Sequence, residues 1–168
     1  MSKKGITFTF KPNDLENIKN LIDGHEMERE FQRVIETEIK PSIAKGISPV
    51  RGKRNFSKYK DPVKYPGDRK QSNKPNLELS GEMLKQYVAR KSDGISVTIG
   101  IHGDAPEDIL IRANANQDGT KTKGGEVAIA ARPFMIKDGE EFNSKISIAI
   151  RKAFVTVITK ALKSMKGR

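Results

Sequence analysis

The sequence predicts an α+β domain, a small and mainly antiparallel sheet with a β-hairpin, packed by long N-terminal and C-terminal helices and carrying a long basic loop. Three observations carry that expectation. Apolar residues at three- and four-residue spacing recur towards both ends of the chain. Asp93-Gly94 separates two strand-like segments, and Asp-Gly is a strong hairpin signal because both turn positions take positive φ. Between these patterns lies Lys45 to Pro75, where Pro49, Pro62, Pro66 and Pro75, with Gly46, Gly52 and Gly67, interrupt any regular period. The 168 residues fit a single domain, 1–168, able to bury roughly 70% of its unfolded surface.

Ile6, Phe8 and Phe10 alternate with Thr7 and Thr9, the period of a half-buried strand that Pro12 stops. Asn13 or Asp14 then caps a helix with Leu15, Ile18, Leu21 and Ile22 on one face, ending at Gly24. A second helix begins near His25. Its Met27, Phe31, Val34, Ile35, Ile39 and Ile43 share a stripe, Glu26, Glu28 and Glu30 sit near the favourable end of the helix dipole, and Pro41 marks a kink. After the basic stretch, Ser80 is the expected N-cap of a short helix from Gly81 to about Gln86. The strands of the hairpin run over 87–92 and 95–101. Asp104 with Glu107 reads as a capping pair, Pro106 lying in the first turn of a helix through Ile109, Leu110 and Ala113 that ends before Gly119. Thr120 to Gly125 is a polar loop of the kind that links a hairpin. Val127, Ile129 and Ala131 form the next strand, which finishes at Arg132 because Pro133 follows. Asp138 and Glu141 are the expected caps of a last helix with Phe142, Ile146, Ala149, Ile150, Ala153, Val157, Ala161 and Met165 along one stripe. Strand patterns also fit 146–150 and 155–159, but the stripe is too long for a strand.

Charge is unevenly placed within the net of +11. Residues 13–44 hold eight acids and four bases, 45–75 hold ten bases and two acids, and 142–168 hold seven bases and no acid. Clustered charge favours a polyanion or contact between copies of the chain. Within the flexible basic loop 45–75, the candidate DNA or ring contacts are Arg51, Lys53, Arg54, Phe56, Lys58, Tyr59, Lys60, Lys64, Tyr65, Arg69 and Lys70. The cations suit phosphates, and the three aromatics either stack on bases or anchor the loop. A non-specific nucleic-acid-binding module using this loop and the basic C-terminal helix is therefore one reading. No helix-turn-helix, zinc-finger or ribonucleoprotein signature supports base-specific readout.

Catalytic patterns fail individually, so no enzyme, cofactor or metal site is expected. His25-Glu26 opens like a zincin helix, but Arg29 stands where the second histidine belongs. Gly119 to Gly125 lacks the Gly-Lys-Ser/Thr end of a phosphate loop. Ser42 and Lys45 have dyad spacing without companion motifs. His25 and His102 read as surface or turn residues, and the pairs Glu28/Glu30 and Glu140/Glu141 as helix starts and solvated faces. The absence of cysteine removes disulfides and thiolate metal sites. No apolar run approaches the ~20 residues of a membrane span, and no signal core follows Met1 to Gly5, so a soluble product of the cytoplasm is expected.

Two segments resemble a known family. Ala130-Ala131-Arg132-Pro133-Phe134-Met135 is similar to the Pro-Ala-Arg-Pro-Phe-Leu segment of tail completion and virion morphogenesis proteins of tailed bacteriophages. Leu77, Ser80, Gly81 and Leu84 resemble that family's Leu-x-x-Ser/Thr-Gly-x-Leu element, and Gly119-Thr120 stands where its Gly-Thr does. Ala130 replaces the family's proline, and the tyrosine and the histidine or glutamate often found before Gly-Thr are absent. The resemblance implies a non-enzymatic structural protein of the neck or tail end, made in the host cytoplasm and carried in the virion. It also implies a ring, commonly six-fold, touching other neck and tail proteins, with the basic loop facing packaged DNA or wrapping a neighbouring ring. Within that setting Arg132 reads as a surface or inter-subunit contact, Pro133 as fixing the strand exit, and Phe134 as a core plug. The acidic and basic helical sections pair either between neighbouring subunits or within one.

Overall fold

The computed structural model describes residues 22–57, 77, 81–91 and 96–166. The expected first strand at Ile6–Phe10, most of the helix after Pro12, Ser80, and the Asp93-Gly94 turn lie outside them.

Helix α1 spans Gly24–Val34 and starts at Asp23, whose carboxylate accepts from the His25 amide at 2.9 Å. Gly24 is thus the first residue of this helix and not the end of the preceding one. A π turn, Ile35–Ile39, continues into α2, Lys40–Ala44. The kink expected of Pro41 takes this form for a steric reason. A proline ring collides with the carbonyl four residues back and offers no N–H, whereas the wider turn lets Lys40 bond to the Ile35 carbonyl. Met27, Phe31, Val34, Ile35, Ile39 and Ile43 are all buried along this composite helix.

Helix α3, Glu82–Lys85, begins after Gly81, whose φ of 71° makes the left-handed cap. Strands β1, Tyr87–Lys91, and β2, Val97–Ile101, pair antiparallel with Tyr87 opposite Ile101 and Lys91 opposite Val97. Helix α1 packs on this ribbon, and Gln32 accepts from the Ala89 amide at 2.9 Å. Helix α4 spans Glu107–Asp118, preceded by Pro106 without a side-chain cap. Asp104, expected to cap it, pairs instead with Arg90, whose hydrogen bond holds the carboxyl below the usual carboxylate range.

Strands β3, Thr120–Lys121, and β4, Val127–Ile129, form a second antiparallel pair, so the described strands make two ribbons and no larger sheet. The polar stretch 120–125 is partly strand and partly turn, closed by Thr122 and Glu126. The strand expected to reach Arg132 stops at Ile129, and Val127 is exposed; alternation here does not mark a buried face.

Helix α5, Ser144–Lys166, is continuous through both stretches that also fit strands. Its N-cap is Asn143, whose side chain accepts from Ile146 at 3.2 Å, in place of Asp138 or Glu141. Ile146, Ala153, Val157 and Ala161 are buried where α5 lies against α1. Lys145 meets Glu38 at 2.8 Å, and Lys160 meets Glu26 at 2.6 Å and Glu30 at 3.7 Å. The Glu26 carboxylate raises the Lys160 ammonium above its ordinary value. These acids and bases meet within the one chain.

Tyr87 anchors the middle of the core, fully buried, with its hydroxyl unpartnered among the described residues. Burial pushes its phenol well above the ordinary value. Because ionisation is resisted only in the folded state, the contribution of Tyr87 to stability is flat with pH below the unfolded-state value of about 10 and falls above it. Tyr87→Phe removes both penalties. It is expected to raise urea-unfolding stability by about 1 kcal/mol at neutral pH, with a larger gain at pH 11; an unchanged or lower midpoint would contradict this account.

Candidate functional site

The family-like segment 130–135 crosses from β4 towards α5, and three parts of the chain fasten it. The first is the last turn of α4. Gln117, only 4% exposed, accepts from the amides of Phe134 at 2.8 Å and Met135 at 2.9 Å and donates to the Met135 carbonyl at 2.9 Å. One residue earlier in the helix, the Asn116 carbonyl accepts from the Arg132 amide at 2.6 Å. A single glutamine side chain thus serves as the backbone partner that irregular chain lacks.

The second part is the chain reversal at Gly119. With φ 74° and ψ 171° it occupies a region open essentially to glycine alone. A β-carbon there would lie 2.6 Å from the Ile129 carbonyl oxygen and 2.8 Å from the Ala131 nitrogen.

The third part is the start of the basic stretch. Phe56 donates its amide to Gly46 at 2.7 Å, and Ser48 its amide to Arg54 at 3.0 Å, closing residues 46–56 into a folded turn. Ser48, Pro49, Val50 and Phe56 are buried in it. The Ser48 hydroxyl donates to the Pro133 carbonyl and accepts from Val50. Arg132 donates through Nε to the Ser57 carbonyl at 3.0 Å and through its terminal nitrogen to Ala130 at 3.2 Å. Arg132 is 3% exposed, so within this chain it is a buried clamp and not a surface contact. Phe134 is fully buried, its ring 6.2 Å from that of Tyr87.

The first part of the stretch read as a flexible basic loop, residues 46–57, is instead folded onto the core, and of the two roles open to its aromatics Phe56 takes the anchoring one. Phe56 is a core residue and is not available to stack on a base. Arg51, Lys53 and Arg54 are exposed at the tip of the turn; Arg51 also bonds Glu141 through both backbone and side chain. Lys58, Tyr59, Lys60, Lys64, Tyr65, Arg69 and Lys70 lie outside the described residues, as does Ser80. Of the other family-like positions, Leu77 and Leu84 are buried in the same core as Phe134, Leu77 in a left-handed conformation at φ 58°.

No family model matches the chain, and no curated protein or solved structure matches it either. Among the described residues no group of three or more His, Asp or Glu side chains is placed to hold a metal ion, and no helix is long and apolar enough to cross a membrane. What the site offers is a buried, hydrogen-bonded mount. It joins β4, α4 and the start of α5 to the exposed cations at residues 51–54, with Arg132 reaching the carbonyl of the last described residue of the basic stretch.

Sequence reasoning missed Gln117, Ser48 and Asn143. Gln117 carried a usable signal: Ile109, Ala113 and Gln117 are four apart, so extending the apolar stripe of α4 by one turn places the glutamine inside.

Proposed function

We propose that this protein is a structural subunit of a tailed-phage neck or tail end, one member of an oligomeric ring that completes the tail and helps join it to the DNA-filled head. The observation that supports this most is the placement of the family-like residues. Leu77 and Leu84, some fifty residues before Phe134, share its core, a β-carbon at position 119 would collide with the main chain of Ile129 and Ala131, and Arg132 secures the basic stretch. Several of the matching residues, Leu77, Leu84, Gly119, Arg132 and Phe134, thus help to hold the fold together. In this reading the tip at residues 51–54 faces the DNA channel or a neighbouring ring. Locating the chain in density for purified particles would support the proposal, and its absence from purified particles would overturn it.

A non-specific DNA-binding module is the second reading, favoured by the exposure of Lys53 and Arg54. If both meet phosphates, Lys53→Gln with Arg54→Gln reduces the salt-dependence slope of DNA binding by about 1.8. An unchanged slope rejects phosphate contact at the tip.

A further inference from the structure

Once Lys145 and Lys160 have met their acids on α1 and the π turn, helix α5 still presents an outward face that is exposed among the described residues. Ile148 is 53% and Val155 60% exposed. They are seven residues apart, two turns or about 10 Å along the same side of the helix. Arg151 and Lys152 flank them, both exposed and with no ion pair among the described residues. No acid occurs anywhere in 142–168. A bare nucleic-acid site has no use for two exposed β-branched side chains between its cations, whereas a protein interface needs an apolar centre with a charged rim.

The complementary face is on the same chain. Helix α4 exposes Ile111, at 61% the most exposed of its large apolar residues. Glu107, Asp108 and Asp118 surround it on the outer side of the helix. Asp108 and Asp118 are paired with Arg112 and Lys137, but each carboxylate side chain is more than half exposed. The two faces are far apart in the packing order: α5 lies on α1, α1 on β1, β1 on α3, and α3 on α4. Two copies of the α5 face would repel, since every charge on it is positive.

We infer that the outer face of α5 docks on the outer face of α4 of a second copy of this chain, setting Ile148 and Val155 against the partner copy's Ile111-centred patch. The contact is heterologous, so each subunit uses both faces and successive copies close into a ring or extend into a filament. This deepens the ring-subunit reading and rests on it for the choice of a second copy as occupant.

Sedimentation velocity of the full chain at low salt tests it. The wild-type mass is expected to rise above monomer with concentration and to fall back with added salt. Ile148→Gln with Val155→Gln, and separately Ile111→Gln, should each weaken association at least tenfold with an unchanged helical circular dichroism spectrum. Mixing the two variants should give a dimer and nothing larger, because one intact α4 face then meets one intact α5 face. A monomeric wild type overturns the inference, and so does an Ile111→Gln variant that associates like the wild type, which would mean an α5–α5 contact. Particle analysis separates this from the function. If the chain is in virions but the variants associate normally, only the α4–α5 contact falls; if it is absent from virions while association follows the expected pattern, only the neck assignment falls.

Discussion

Gly119→Ala is expected to destabilise the protein by roughly 3–5 kcal/mol, the sum of a backbone conformation that side chains avoid and a collision with main-chain atoms. The collision cannot be relieved by a rotamer change. The β-carbon meets the Ile129 carbonyl oxygen and the Ala131 nitrogen, so β4 would have to move away from the end of α4, taking the amide of Arg132 from Asn116 and the clamp on Ser57 with it. Gly139 is the control. Its φ of 80° also lies in the positive range that side chains disfavour, but nothing lies within 4 Å of a β-carbon there, so Gly139→Ala should cost only about 1 kcal/mol. Urea unfolding of both variants checks this; equal losses at the two glycines would show that the close approach at Gly119 contributes nothing.

Gln117→Leu should be nearly as damaging, at roughly 3–5 kcal/mol, although it preserves the size of the side chain. The leucine leaves two amides, those of Phe134 and Met135, and the Met135 carbonyl without the partner they have now, and each buried orphan costs about 1–3 kcal/mol. The loss should also spread to the basic stretch. Segment 130–135 carries Arg132 and Pro133, which hold Ser57 and Ser48, so loosening it should speed tryptic cleavage after Arg51, Lys53 and Arg54 beyond what the global stability loss explains. A variant that unfolds at the wild-type urea midpoint would show that the glutamine is not the clamp described here.

The long helices were legible because burial imposes a period on sequence. Met27 through Ile43 and Ile146 through Ala161 each keep one apolar side over many turns, and chance rarely sustains that. Phe134 was legible as a core plug because an aromatic between a strand exit and a helix has few other places to go. The caps were not legible. Asp104, Asp138 and Glu141 had the right chemistry for helix starts, but Asp104 and Glu141 were drawn to the guanidinium groups of Arg90 and Arg51, and Asn143 capped α5 instead. Arg132 misled for a related reason. An arginine beside a proline looks solvated in sequence, and its burial is supported by carbonyl groups brought from residues 57 and 130.

The sequence by itself determined the α+β class, the two amphipathic helices, and the concentration of positive charge in the middle and at the end of the chain, since period and charge are local properties. Tertiary structure alone decided that Phe56 belongs to the core, that Gln117 and Gly119 bind the family-like segment to α4, and that the acids of α1 and the π turn are met by Lys145 and Lys160 of the same subunit. Each of those outcomes depends on groups tens of residues apart arriving within hydrogen-bonding or contact distance, and no local pattern encodes that.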